Sequence, residues 1–143
     1  MTESNVAPGA TPFEVRQLRL VVEAEDFDEA VAFYRDVLGL TEEFSVESDD
    51  ARVIALQAGR ATLEIINPAQ RQLIDRLEVG RQVSRNFRVA FEVTDVDLAT
   101  ATVVAAGAEL IASPTETPWR SLNARLEAPA GLQITLFEEL EGE

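Results

Sequence analysis

Arg19-Leu-Val-Val-Glu-Ala-Glu-Asp-Phe-Asp28 and Arg88-Val-Ala-Phe-Glu-Val-Thr-Asp-Val-Asp97 are two copies of one pattern. The offset that carries 19 to 88 also pairs Arg16 with Arg85, Glu23 with Glu92, Ala30 with Ala99 and Ala32 with Ala101. Two generic strand-helix units would not share so many positions by accident, so the chain contains an internal repeat. In the first copy Leu18, Leu20, Val22 and Ala24 alternate with Arg19, Val21 and Glu23, which predicts a strand over 17–24. Asp26 then stands at a helix N-cap with Glu29 three residues later, and Ala30, Phe33, Tyr34, Val37 and Leu38 continue as an apolar stripe until Gly39.

Working outward, three extended pieces follow the first helix, over 42–47, 52–57 and 61–67, divided by Ser48-Asp49-Asp50 and Ala58-Gly59-Arg60 turns. Asn67-Pro68 supplies an N-cap and an N1 proline for a short linker helix in which Leu73, Ile74 and Leu77 share a face and which Gly80 stops. The second copy repeats the order: a helix from about Asp95 to Ala106, then strands near 109–113, 121–128 and 132–138, the last two joined by Ala128-Pro-Ala-Gly131. The predicted organisation is a flexible tail over 1–15, a first β-α-β-β-β module over 16–67, a linker with its helix over 68–84, a second β-α-β-β-β module over 85–139 and an acidic tail over 140–143. One helix cannot cover both faces of a four-stranded sheet. The expected fold is therefore α+β, with two paired mixed sheets, helices outside and a concave cup between them.

Composition narrows the chemistry. The 143 residues suffice for one domain with a sizeable core, at 46% hydrophobic and 27% charged. Twelve basic residues, all arginine, against 26 acidic ones give a net charge of −14, which repels nucleic acid backbones and anionic membrane surfaces. The absence of cysteine excludes disulfides, thiolate nucleophiles and cysteine-zinc sites, and the absence of histidine removes the commonest metal ligand and general base. No secretory leader or membrane-spanning run is visible, and a cytoplasmic location is expected. The acid runs Glu42-Glu43, Glu47 to Asp50 and Glu138 to Glu141 read as solvated surface.

The stretch Asp26-Phe-Asp-Glu-Ala-Val-Ala-Phe-Tyr-Arg-Asp-Val-Leu-Gly-Leu40 resembles the signature of the vicinal oxygen chelate superfamily, which includes glyoxalase I, extradiol dioxygenases and bleomycin resistance proteins. The resemblance covers about residues 16 to 138 and extends to 89–97, Pro118-Trp119 and 131–137. It implies the glyoxalase/bleomycin-resistance type of cup, a small-molecule ligand and a homodimer. In the superfamily's metalloenzymes a histidine on the first strand and a glutamate on the last strand of a module point into the cup. Those positions correspond here to Arg19 and Arg88, and to Glu64 and Thr135. Only one of the four is a good ligand, and two guanidiniums repel a divalent cation. No metal and no cofactor are therefore expected.

Strand alternation places Arg19 and Glu23, Glu64, Arg88 and Glu92, and Thr135 and Phe137 on the inner face. Arg19, Arg88 and Glu64 read either as an ion-pair cluster that replaced the metal and joins the modules or as direct ligand contacts, and the two readings can coexist. Glu23 and Glu92 are weaker ligand contacts, since they fit a solvated rim equally well. Trp119 reads as a ring covering the core edge or as a stacking wall for a planar ligand. Phe33 and Tyr34 belong to the core. The expected function is a metal-free protein that sequesters a small planar or amphipathic molecule. The alternative is a lyase-, isomerase- or dioxygenase-like enzyme with an atypical or no metal site.

Overall fold

The computed structural model describes residues 19–61, 64 and 66–141. Helix α1 (Phe27–Val31) starts at Asp26, whose carboxylate accepts the Glu29 N–H at 3.0 Å, the expected cap. It runs into a wider turn over Ala32–Val37, closed by the Leu38 N–H donating to the Phe33 carbonyl five residues back at 2.8 Å. Gly39, at φ 88°, turns the chain out of the helix as only glycine does cheaply. Strands β1 (Thr41–Ser48) and β2 (Ala51–Gln57) form an antiparallel hairpin around Asp49-Asp50. Helix α2 (Pro68–Glu78) is capped by Asn67, which accepts the Gln70 N–H at 2.9 Å. Strand β3 (Val89–Glu92), helix α3 (Val96–Ala105), and strands β4 (Glu109–Glu116), β5 (Ser121–Ala128) and β6 (Leu132–Glu139) follow.

The larger sheet has the order β3-β6-β5-β4, with β3 parallel to β6 and the other neighbours antiparallel. The class is α+β with one mixed and one antiparallel sheet, and the second unit has the expected β-α-β-β-β order. In the first unit, residues 19–24 form no strand, and neither do 61, 64, 66 and 67; the rest of the two expected strands, at 17–18 and at 62, 63 and 65, lies outside the described residues, as does the 1–15 tail. Alternation equips a segment for a sheet, but only a partner's backbone makes it a strand. Leu20 and Val21, exposed by 54% and 88%, have found no such cover among the described residues. At the other end, the start of the acidic tail is tied down by the Leu140 N–H donating to the Arg120 carbonyl at 3.0 Å.

One face of the larger sheet is the hydrophobic core. Ala124, Leu126 and Ala128 of β5 and Leu132, Ile134 and Leu136 of β6 meet Val96 and Val103 of α3 together with Phe33 and Tyr34. The helix of the first copy thus packs into the core built by the second. Tyr34 completes the joint by donating its hydroxyl to the Pro129 carbonyl at 2.8 Å, and burial raises its pKa further above the physiological range. Glu138 corrects the reading of its acid run as plain surface: its carboxylate accepts the Val96 N–H at 3.0 Å, at the N-terminus of α3 where a negative charge is favoured.

Candidate functional site

The opposite face of the larger sheet carries Arg88, Ala90 and Glu92 on or just before β3, Gln133, Thr135 and Phe137 on β6, and Asn123, Arg125 and Glu127 on β5. Register places Thr135 at its centre, opposite Ala90 on one side and Arg125 on the other. Helix α2 covers this polar face over β5 and β4 and brings Ile74, Asp75 and Glu78 into the interior. Arg125 is fully buried and reaches Asp75 Oδ1 at 3.0 Å and Gln133 Oε1 at 2.9 Å through Nη1, and Glu78 Oε1 at 2.9 Å through Nη2. Asn123 donates to the other Glu78 oxygen at 2.8 Å and accepts from Ser121 Oγ at 2.6 Å. Asp75 accepts the Val83 and Ser84 N–H groups at 2.9 and 2.8 Å and the Ser84 hydroxyl at 2.6 Å. Burial pushes the Asp75 pKa up, but the Ser84 and Val83 donors and Arg125 outweigh it and hold the carboxyl at about 2.

Arg88 is half-buried beside this network, and its Nε donates to Thr135 Oγ1 at 2.9 Å. Desolvation lowers its pKa, and the nearby charge of Arg125 lowers it further, opposed by Glu78, Asp75 and Glu64. Glu64 is exposed and acts on Arg88 through its charge alone. Thus Arg88, Thr135 and Phe137 share one face, with Glu92 exposed opposite Phe137. Arg19 stands over the Phe44 ring of the hairpin at 5.2 Å, and Glu23 is exposed. Trp119, 47% exposed, lies in the Thr117–Ser121 turn, whose hydroxyls join the same network through Ser121 and Asn123.

The buried ion pairs of this face therefore centre on Arg125, Asp75 and Glu78 rather than on Arg88 and Glu64. Sequence reasoning missed all three because the alternation of β5 reads equally well as a solvated polar face. The available signal was an acid pair at 75 and 78, one turn apart on the linker helix beside Ile74. A bare guanidinium has no lone pair to offer a cation, and Thr135 already accepts from Arg88, so these two positions do not fit a divalent metal. Among the described residues no three acidic side chains converge on one point.

A family model described as a glyoxalase-like domain matches residues 19–137. Among solved structures, the chain is similar to a glyoxalase/bleomycin resistance protein/dioxygenase family enzyme from Burkholderia phytofirmans PsJN, at 25% identity and TM-score 0.54, over 80% of this chain and 91% of that one. It is also similar to TnmS3, an antibiotic binding protein from Streptomyces sp. CB03234, at 20% identity and TM-score 0.59, over 89% and 98% of the two chains. A protein of unknown function from Agrobacterium tumefaciens str. C58 aligns at 25% identity and TM-score 0.54, over 88% and 98%. Comparison with curated proteins gives no match.

Proposed function

The chain belongs to the glyoxalase-like family, and from that membership we propose that it is a metal-free binding protein that sequesters a small planar or amphipathic molecule. The observation that carries this reading is the 2.9 Å hydrogen bond from Arg88 to Thr135. Two positions at which the family resemblance would place metal ligands are bonded to each other instead. The Arg88 Nε is fixed by Thr135, so its terminal nitrogens are oriented in advance for the oxyanion of a ligand, with Phe137 on the same face and Trp119 available to cover an apolar part. Elemental analysis of dialysed protein is the test, with less than stoichiometric zinc, iron, nickel or manganese as the expected result. One equivalent of any of them, lost in Glu64→Ala, would overturn the reading. An enzyme would be favoured by a buried carboxylate whose charge is uncompensated. The buried carboxylates among the described residues, Asp75 and Glu78, both face Arg125.

A homodimer belongs to the same proposal. Leu20, Val21, Phe44, Val46, Val53 and Ile66 are exposed large apolar side chains of the first unit, and a two-stranded hairpin is marginal by itself in water. A second copy that covers them would shield this surface, and among the described residues β3 has an open sheet edge available for pairing. Light scattering after size exclusion should give twice the 15.7 kDa chain mass. A monomer at micromolar concentration in ordinary salt would contradict it.

A further inference from the structure

Arg71, Arg76, Arg81, Arg85 and Arg88 fall close together in a chain of net charge −14, and the only acids between 71 and 88 are Asp75 and Glu78. Both acids are engaged by the buried Arg125, which leaves the rest of this stretch cationic. Here a concavity of about 480 Å³ opens between α2 and the segment that follows it, lined by Arg71, Gln72 and Arg76 on one side and Gln82 and Ser84 on the other, with Asp75 at its inner wall. The two sides are tied together. Asp75 holds the Val83 and Ser84 amides, and Gln82 Nε2 donates to the Gln72 carbonyl at 3.1 Å. A site whose walls are already fixed loses little entropy on binding.

Among the described residues, no hydrogen bond or ion pair engages the guanidinium groups of Arg71, Arg76 or Arg81, although the chain carries 26 acids. Arg76 lies in the last turn of α2, where the helix dipole favours a cation. Arg71 is the fourth residue of the helix, near the end where the dipole disfavours one, so helix stability does not account for it. Arg71 and Arg76 both line this concavity, and a guanidinium fork pairs with a carboxylate or phosphate through parallel N–H donors.

We propose that this concavity binds a small molecule through a doubly charged oxyanion group, a phosphate monoester or a vicinal dicarboxylate, held by Arg71 and Arg76 with the amides of Gln72 and Gln82 as neutral donors. The site is separate from the ligand face at Arg88 and Thr135 and does not depend on that reading. A small dianion suits it better than a nucleic acid. Within a Debye length of about 8 Å the local arginines dominate, whereas a long phosphate backbone would meet the acidic remainder of the surface.

The test is an NMR titration of the isotope-labelled full chain with phenyl phosphate and with succinate at constant ionic strength. Saturable shifts of the 82–84 amides and of the Arg71 and Arg76 side-chain Nε signals are expected, and the tighter of the two compounds identifies the source of the oxyanion. Arg71→Gln and Arg76→Gln should each weaken binding about tenfold, and the double Lys variant, which keeps the charge but loses the forks, should fall between them and the parent. Arg52→Gln, which removes a guanidinium paired with Asp28 and Glu47, should change nothing. Absence of saturable shifts at 82–84, equal shifts from chloride, or unchanged binding by the two Gln variants would overturn the proposal.

Discussion

Replacement of Arg125 by methionine is expected to cost the fold about 3–5 kcal/mol, because it leaves two carboxylates buried without their counter-charge. Asp75 and Glu78 are essentially inaccessible, and each has a direct ion pair to this one guanidinium. Their other partners, the Ser84 and Val83 donors and Asn123, cannot neutralise them. A loss of that size is a large share of the 5–15 kcal/mol that a domain typically has. Denaturant unfolding measures it. The triple variant Arg125→Met, Asp75→Asn, Glu78→Gln should lose less than the single one, since no uncompensated charge then remains. A loss below about 1 kcal/mol for Arg125→Met would be the value of an exposed pair and would contradict a buried network.

Acid should act on the same joint through Asp75. Its carboxyl is held at about 2 in the folded chain, below the ordinary aspartate value of 3.8. The folded state therefore binds the proton more weakly than the unfolded state. The stabilisation is fully present above the unfolded pKa and disappears as the pH falls from about 4 through about 2, a change of about 2 kcal/mol. The remaining acids complicate a single curve, because below the isoelectric point near 4.3 the chain is already net positive, and their further protonation adds repulsion among the twelve arginines in the same direction. The comparison with Asp75→Asn isolates the group. The variant should be less stable near neutral pH and should show a shallower loss across that window, measured by unfolding midpoints at a series of pH values. Parallel slopes for the two proteins would mean that Asp75 is not the responsible proton site.

What the sequence made legible was local. Asp26 and Asn67 cap helices where side-chain chemistry said they would, and Asp95, which the repeat pairs with Asp26, does the same, each accepting an N–H three residues on. The apolar positions of β5 and β6 alternate as a one-sided core requires, and they form one. The repeat led to the second unit's complete element order, and the stretch from Asp26 to Leu40 led to the family. The failures were non-local. The polar residues of β5, Asn123 and Arg125, look the same in sequence whether water or a helix covers them. Only the fold brings α2, some fifty positions earlier, across that face. Residues 19–24 have the pattern of a strand, but strand formation depends on a partner that alternation does not supply. Of the expected site residues, Arg88 and Thr135 are bonded and share a face with Phe137, because all three follow from the register of adjacent strands. Arg19 and Glu23, in the segment that forms no strand, are not positioned by that register.

Titration with a matched pair of small aromatic ligands, 2-naphthoate and 2-naphthylmethylamine, followed by Trp119 fluorescence, addresses the proposed function most directly. The acid should bind more tightly than the amine. Its affinity should fall in Arg88→Ala and persist in the Arg71→Gln, Arg76→Gln double variant, which separates this face from the arginine-lined concavity. Tighter binding of the amine, unaffected by Arg88→Ala but reduced by Glu23→Gln or Glu92→Gln, would contradict the account, because recognition would then belong to the acidic side chains.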